Sequence, residues 1–177
     1  KMAVKFTKPE INVREKLAEL DYGKVPYHKM PAGSVIQVTH KRVASAWVST
    51  TSTTLVASGV KLSIFPKREN SLILIRYNLP MTHTHSSVGA TMVPELRRVI
   101  GGSTGVVTNI NPAGTTYPQG YIDPTGNYQS IVIADQDFPN TQLEVEYEVY
   151  FRSTSGGNTH LAHNGSSYYL QLMEIAQ

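Results

Sequence analysis

From about residue 33 onward, the chain shows short segments in which apolar and polar residues alternate with a period of two, which predicts a series of β-strands. The clearest case is the segment 142–151, where apolar residues fall on every odd position and Glu144, Glu146 and Glu148 fall on even ones. Such alternation puts one set of side chains on a packed face and the other in water. Three carboxylates on one side of a strand should stay solvated unless cations lie close by. The segment therefore predicts an antiparallel sheet with one packed face and one wet face.

Further β-prone segments follow one another at short intervals along the chain. The run Leu72-Ile73-Leu74-Ile75 is apolar at both parities, which predicts a strand buried on both faces. Many short, regularly spaced strands predict a mainly β head domain over 33–177, an antiparallel β-sandwich of jelly-roll type. The predicted strands cover 34–43, 47–57, 60–65, 71–78, 91–100, 105–110, 129–135, 141–152 and 168–175.

The first 32 residues differ in kind and form a separate predicted unit. Residues 11–20 are a short helix candidate that Asn12 can cap, and its apolar residues are Ile11, Val13, Leu17 and Leu20. Ten residues cannot hold a helix alone in water. The apolar face must therefore dock on the protein's own body, on a sister subunit or on a larger assembly. Residues 22–31 are predicted to be an extended linker punctuated by proline.

The formal charge of +3 is concentrated at the start of the chain. Residues 1–30 hold seven Lys and Arg against four acids, whereas residues 31–177 hold nine of each. The predicted β head therefore has no net field to attract a polyanion, which argues against a nucleic-acid groove. No run of eighteen apolar residues occurs, so we predict no membrane insertion. The absence of cysteine excludes disulfides and thiolate metal sites.

Two long irregular segments, 101–127 and 153–167, are rich in Gly, Thr, Asn, Pro and Tyr. Tyrosines among small polar residues are typical of recognition surfaces, although such rings can also pack a loop onto a sheet. His160 and His163, in the second segment, are predicted to be exposed to solvent on flexible backbone. The candidate receptor-binding residues are Tyr117, Tyr121, Asp123, Asn127, Tyr128, Asn158 and His160.

His83-Thr84-His85 is the motif best suited to a metal ion. On a strand, residues i and i+2 lie on the same side, so both imidazoles could reach one ion. A cupin-type site would need a carboxylate soon afterwards, and the next acid is Glu95, ten residues beyond His85. Three such pairs around a threefold axis could supply six nitrogens instead. The simpler interpretation is that both histidines are exposed in a loop after Pro80.

No catalytic signature accompanies these residues. The chain has no Gly-x-Ser-x-Gly elbow, and the three glutamates of 142–151 are predicted to form one solvated row without a partner carboxylate. We therefore predict a protein that is not an enzyme and needs no cofactor. A metal ion on a symmetry axis is the one exception left open.

The order of several landmarks resembles a family of bacteriophage fibre-tip and virion-appendage domains found in marine and cyanobacterial phages. These landmarks are Pro31-Ala-Gly-Ser-Val-Ile-Gln-Val, the Ser/Thr-rich run at 49–57, Val60-Lys-Leu-Ser-Ile-Phe-Pro-Lys, Asn70-Ser-Leu-Ile-Leu-Ile and Leu172-Met-Glu-Ile-Ala-Gln. The resemblance implies a β-sandwich head that assembles as a homotrimer and faces the host surface. The segment 6–20 resembles the virion-attachment leaders of short phage structural proteins.

From this resemblance we expect a short fibre or spike located in the virion. Residues 1–32 would dock on other capsid or tail proteins, and the head 33–177 would bind a cell-surface saccharide through avidity. One alternative is a capsid or tail decoration protein with a purely structural role. A metal-dependent, cupin-like enzyme is a second alternative.

Overall fold

The computed structural model describes residues 25–44, 47–85, 92–101, 107–109, 128–161 and 166–177, with backbone only at 80–85, 107–109 and 128–129. These ranges contain ten strands and one short 3-10 helix, Tyr27–Lys29. None of the helical structure in them is long and apolar enough to cross a membrane. The strands are β1 (Val35–Val43), β2 (Val48–Thr50), β3 (Val56–Ile64), β4 (Leu72–His85), β5 (Met92–Ile100), β6 (Val107–Asn109), β7 (Tyr128–Asp137), β8 (Val145–Ser153), β9 (Asn158–Leu161) and β10 (Tyr168–Ile175).

The strands form two antiparallel sheets. The six-stranded sheet has the order β1-β10-β4-β9-β2, with β7 paired to the other side of β4, and the four-stranded sheet has the order β3-β8-β5-β6. When β2 and β9 are taken as extensions of β1 and β10, the sheets are β1-β10-β4-β7 and β3-β8-β5-β6. This is the strand order of a jelly roll. The prediction of a mainly β, antiparallel sandwich is confirmed.

The six-stranded sheet is irregular at one level, where two of its strand pairs meet end to end and the register of a third pair shifts. β1 ends with Val43, which lies opposite Tyr168, the first residue of β10. β2 begins with Val48, which lies opposite Leu161, the last residue of β9, so the pair β2–β9 continues the sheet beyond this level. At the same level the register between β4 and β7 shifts between Leu79 and Thr82. We call this level the break, and it divides the outer face of the sheet into two parts.

The hydrophobic core lies between the two sheets and takes residues from both. The six-stranded sheet supplies Ile73, Ile75, Tyr77 and Leu79 of β4, and the four-stranded sheet supplies odd-numbered residues of β8, namely Val145, Tyr147, Val149 and Phe151. All eight are at most 2% exposed. The alternation predicted for β8 is confirmed on its apolar side. The burial of these apolar side chains supplies most of the free energy that holds the two sheets together.

On the polar side of β8, the prediction of a solvated row of carboxylates is wrong for Glu148. Its side chain is buried, and its carboxylate accepts a hydrogen bond of 2.8 Å from the backbone N–H of Gly59. Lys61 and Arg97 occupy the directly paired positions on the two neighbouring strands. The nearby cations that the sequence argument required for burial are therefore present. Glu146 lies closer to solvent, and its carboxylate raises the pKa of Lys61 through a 3.2 Å hydrogen bond and ion pair.

Several strand predictions need correction. The predicted strand 47–57 is two strands, because the chain leaves the sheet between Thr50 and Val56, and β3 then runs through Gly59. Gly59 has φ +72° and lies within a register shift between β3 and β8, a position that suits glycine. In β4 the burial is on one face only, since Leu74 is exposed while Ile73 and Ile75 are buried. The second predicted loop, 153–167, contains β9.

The predicted docking helix and its residues Ile11, Val13, Leu17 and Leu20 lie outside the described residues. The end of the predicted linker is described from Val25 onward, and it includes the 3-10 helix instead of being extended throughout. This stretch contacts the head: Arg68 Nη1 donates to the Met30 carbonyl at 3.4 Å, and Gly33 N–H donates to the Ala176 carbonyl at 2.8 Å.

Candidate functional site on the outer face of the six-stranded sheet

The predicted receptor-binding residues divide into two groups. Tyr117, Tyr121, Asp123 and Asn127 lie outside the described residues. Tyr128, Asn158 and His160 lie on strands of the six-stranded sheet, as do the metal candidates His83 and His85. The second group can therefore be placed by strand register.

That register brings the second group together. His83 pairs with Tyr128 on one side and with His160 on the other, and His85 pairs with Asn158. Residues that pair directly across an antiparallel ladder belong to the same face of the sheet. Sequence reasoning gave no sign of this proximity, because it depends on pairing between segments far apart in the chain.

This group belongs to the outer face of the sheet. In β9, Thr159 and Leu161 are fully buried toward the core, so alternation assigns Asn158 and His160 to the opposite face. The predicted loop after Pro80 is wrong, because β4 continues to His85. His83 and His85 therefore have the strand spacing that the metal hypothesis requires, while their side chains are not described.

His160 is covered by Trp47, the one tryptophan of the chain. The indole Nε1–H donates to Nδ1 of His160 at 2.6 Å, and the two rings meet edge to face with centroids 5.4 Å apart. Trp47 is 60% exposed, whereas His160 is only 5% exposed. The expectation of an exposed His160 on a flexible loop is therefore wrong.

The hydrogen bond fixes the tautomer of the His160 ring and the orientation of both rings. Nδ1 of His160 accepts the bond, so the proton of the neutral imidazole resides on Nε2. The single N–H of Trp47 is satisfied on the protein side, while most of its surface faces solvent. A tryptophan held in this way presents a rigid apolar surface to a ligand at little cost in conformational entropy.

Trp47 is the functional candidate that sequence reasoning missed. It was assigned to the start of a strand, whereas it lies just before β2, in the connection at the break. The available signal was a lone tryptophan beside Ser49, Thr50 and the other small polar residues that follow. That composition resembles the tyrosine-rich loops selected above.

Among the residues that the structure describes, no group of three or more His, Asp or Glu side chains is arranged to hold a metal. Nδ1 of His160 is engaged by Trp47 and is thus not available as a ligand. The metal assignment of His83 and His85 stays a prediction.

Comparison with known proteins gives only structural neighbours. No known protein family and no curated protein matches the chain. The VP2 subviral particle of infectious bursal disease virus is similar to it at 16% identity and a TM-score of 0.40, over 84% of this chain and 35% of VP2. Structures of the Gt and Gx strains of the same virus are similar at 12% and 11% identity, with TM-scores of 0.33 and 0.31. Each of these covers 81% of this chain and 39% of the other. At these scores the likeness carries no argument about function.

Proposed function

We propose that this protein is a structural protein of a phage particle, a short fibre or spike whose β head binds a saccharide on the host surface. The order of landmarks along the sequence supports the virion assignment, and the outer face of the six-stranded sheet supports the binding role. In this proposal the protein acts by binding and catalyses no reaction. Three heads per fibre and many fibres per particle would raise a weak single-site affinity through effective concentration.

The observation that carries the binding proposal is the exposed Trp47 clamped by the buried His160. Tryptophan is enriched among the anchor residues of binding sites, and this one is held in place by a hydrogen bond from its indole N–H to His160. Asn158, half-buried on the same face, can hydrogen-bond sugar hydroxyls beside it. The indole face would stack on the apolar face of a pyranose ring. Trp47 thus takes the place of the loop tyrosines as the leading candidate.

The test is a glycan array probed with the full-length protein and with Trp47→Ala. We expect binding to a restricted set of glycans, reduced up to about tenfold by Trp47→Ala, because an aromatic stacking contact is worth up to about 1.5 kcal/mol. Phe65→Ala is the matched control, since Phe65 is similarly exposed at 56% and follows β3 of the other sheet. Absence of binding by multivalent protein, beside a positive control lectin, would refute the proposal.

A purely structural decoration role predicts a different result in a competition experiment. Purified protein should block adsorption of the particles that carry it if the head binds the host. It should have no effect if the protein only clamps capsid or tail subunits.

A further inference from the structure

Six side-chain positions form a grid on the outer face of the six-stranded sheet, on the β1 side of the break. The register gives two rows of three: Arg42, Tyr169 and Asn78, and next to them His40, Gln171 and Arg76. We call these six residues the grid. Five of them are exposed and Gln171 is half-buried.

Contacts within the grid support this assignment to one face. The guanidinium of Arg42 lies over the ring of Tyr169, 5.6 Å from its centroid, and Arg42 Nη2 donates to Ser167 Oγ at 3.3 Å. These contacts hold the Arg42 side chain in place while its charge stays exposed. Tyr169 is itself 50% exposed.

The charge of this face is one-sided. On the β1 side of the break, the described outward positions of β1, β10, β4 and β7 carry two arginines and one histidine, and no carboxylate lies among them. Among the acids that the structure describes on neighbouring strands, Asp135 is the nearest to Arg76 in the register. It follows Ala134, which pairs with Arg76, so alternation assigns Asp135 to the other face of the sheet. The described grid is thus locally positive, although residues 31–177 carry no net charge.

We propose that the ligand of this face is an acidic saccharide, one that bears carboxylate or sulfate groups, and that Arg42 and Arg76 bind those groups. This inference rests on the proposed function and adds the class of ligand. The arginine fork matches the paired oxygens of a carboxylate or sulfate. Tyr169 and Gln171 lie on β10 between the two arginines, and Asn78 lies two residues from Arg76 on β4; they supply a ring edge and amide groups that suit a sugar.

The spacing of the arginines indicates a ligand longer than one sugar. Arg42 and Arg76 are two strands and two residues apart, so their Cα atoms are separated by about 12 Å, from strand spacings of about 4.8 Å and rises of about 3.3 Å. Two acidic groups on different units of an oligosaccharide can reach both side chains. Trp47 lies beyond Arg42, at the break, where a further unit of the same chain would stack.

The experiment compares matched polymers with the full-length protein. Dextran sulfate and dextran share a glucose backbone and differ in their sulfates, and alginate supplies carboxylates. We expect binding to dextran sulfate and alginate, a much weaker signal with dextran, and loss of binding as salt rises from 0.1 to 1 M, where the Debye length falls from about 10 to about 3 Å. Arg42→Gln and Arg76→Gln should each weaken binding about five- to tenfold.

Lys41→Gln is the matched control. Lys41 is an exposed cation next to Arg42 on β1, but alternation assigns it to the other face of the sheet. Lys41→Gln therefore removes one positive charge and leaves the grid unchanged. Thermal unfolding of each variant checks that the fold is intact.

The possible outcomes separate the two proposals. Equal binding to dextran and dextran sulfate would overturn the acidic ligand and leave the saccharide proposal standing. An equal loss of affinity with Lys41→Gln would show a general attraction of polyanions, as would binding to single-stranded DNA and polyphosphate as tight as to alginate. Either result would overturn the assignment of the grid as the binding site. Binding to no saccharide, on the polymers or on the array, would overturn both.

Discussion

Above pH 10, the free energy of unfolding should fall steeply, because the hydroxyl groups of two tyrosines are buried in the folded protein and resist ionisation there. The hydroxyl of Tyr77 donates to the backbone carbonyl of Tyr147 at 2.8 Å, and the hydroxyl of Tyr147 donates to Asp137 Oδ2 at 2.8 Å. Asp137 also receives Arg98 Nη1. Burial raises the pKa of both phenols far above the usual value, and the charge of Asp137 adds to the effect on Tyr147.

The sign and size follow from proton linkage. Both folded-state pKa values are raised, so the stabilisation is fully present below the unfolded value of about 10 and is lost as the pH rises above it. Each group then costs about 1.4 kcal/mol at pH 11 and about 2.7 kcal/mol at pH 12. Together the two remove about 5.4 kcal/mol by pH 12, which is comparable with the whole stability of many domains.

The assay is urea unfolding followed by far-UV circular dichroism between pH 8 and 12, with tyrosinate absorbance recorded in parallel. Tyr147→Phe should lose about 1 kcal/mol at pH 8, the worth of one hydrogen bond. It should then be more stable than the parent protein above about pH 10.7, where the avoided ionisation cost exceeds that loss.

Phe151→Leu is the control, because Phe151 is buried in the same core and has no proton to lose. Its stability difference from the parent should be the same at pH 8 and pH 12. Lys61 and Tyr168 also have raised pKa values and should leave a smaller slope, so an alkaline slope that is undiminished in the double variant Tyr77→Phe, Tyr147→Phe would refute the reasoning.

Two further predictions concern the carboxy-terminal strand and the assembly. Glu174 is fully buried, and its carboxylate accepts hydrogen bonds from the backbone N–H groups of Lys67 and Arg68, from Ser71 and from the Gln37 amide. Glu174→Ala should cost roughly 3–5 kcal/mol in urea unfolding, whereas Glu174→Gln should cost about 1–2 kcal/mol because its amide oxygen can still accept from Lys67, Arg68 and Ser71 and only the Gln37 contact is lost; equal losses would contradict this account. The proposed homotrimer should give three times the chain mass in light scattering, and Leu17→Asp should detach the protein from particles without unfolding the head; a monomer at high concentration would refute the trimer.

Local patterns in the sequence were enough to predict much of the fold. The prediction 168–175 matches β10, and the alternation of 142–151 predicted which side of β8 is buried, because both depend on neighbours along a single strand. The ends of β2 and β3 were wrong, since Gly59 continues a strand through a bulge that only its pairing with β8 explains. β9 was missed because four residues in a loop-like composition form a strand only when β4 and β2 pair with them.

The site was less accessible to sequence reasoning than the fold. Its components come from strands and connections far apart in the chain, and the contact of Trp47 with His160 joins residues 113 positions apart. The choice of His160 as a binding residue stays a prediction, while the exposed environment assigned to it was wrong. The grid was not predicted at all, because its one-sided charge arises only when β1, β10 and β4 lie side by side.

The break in the six-stranded sheet gives the proposed binding surface its shape. Inside a continuous sheet the backbone groups are paired and every side chain extends from a regular strand. Such a sheet has no irregular connection that could hold a large side chain above its surface. At the break, β1 and β10 leave the ladder, and the connection to β2 carries Trp47 while regular strands on either side carry its partner His160 and the grid. Rigid strands therefore position the polar groups, and the irregular connection raises the aromatic one above them. This combination of a fixed polar base with a projecting aromatic side chain suits the extended acidic saccharide that we propose as the ligand.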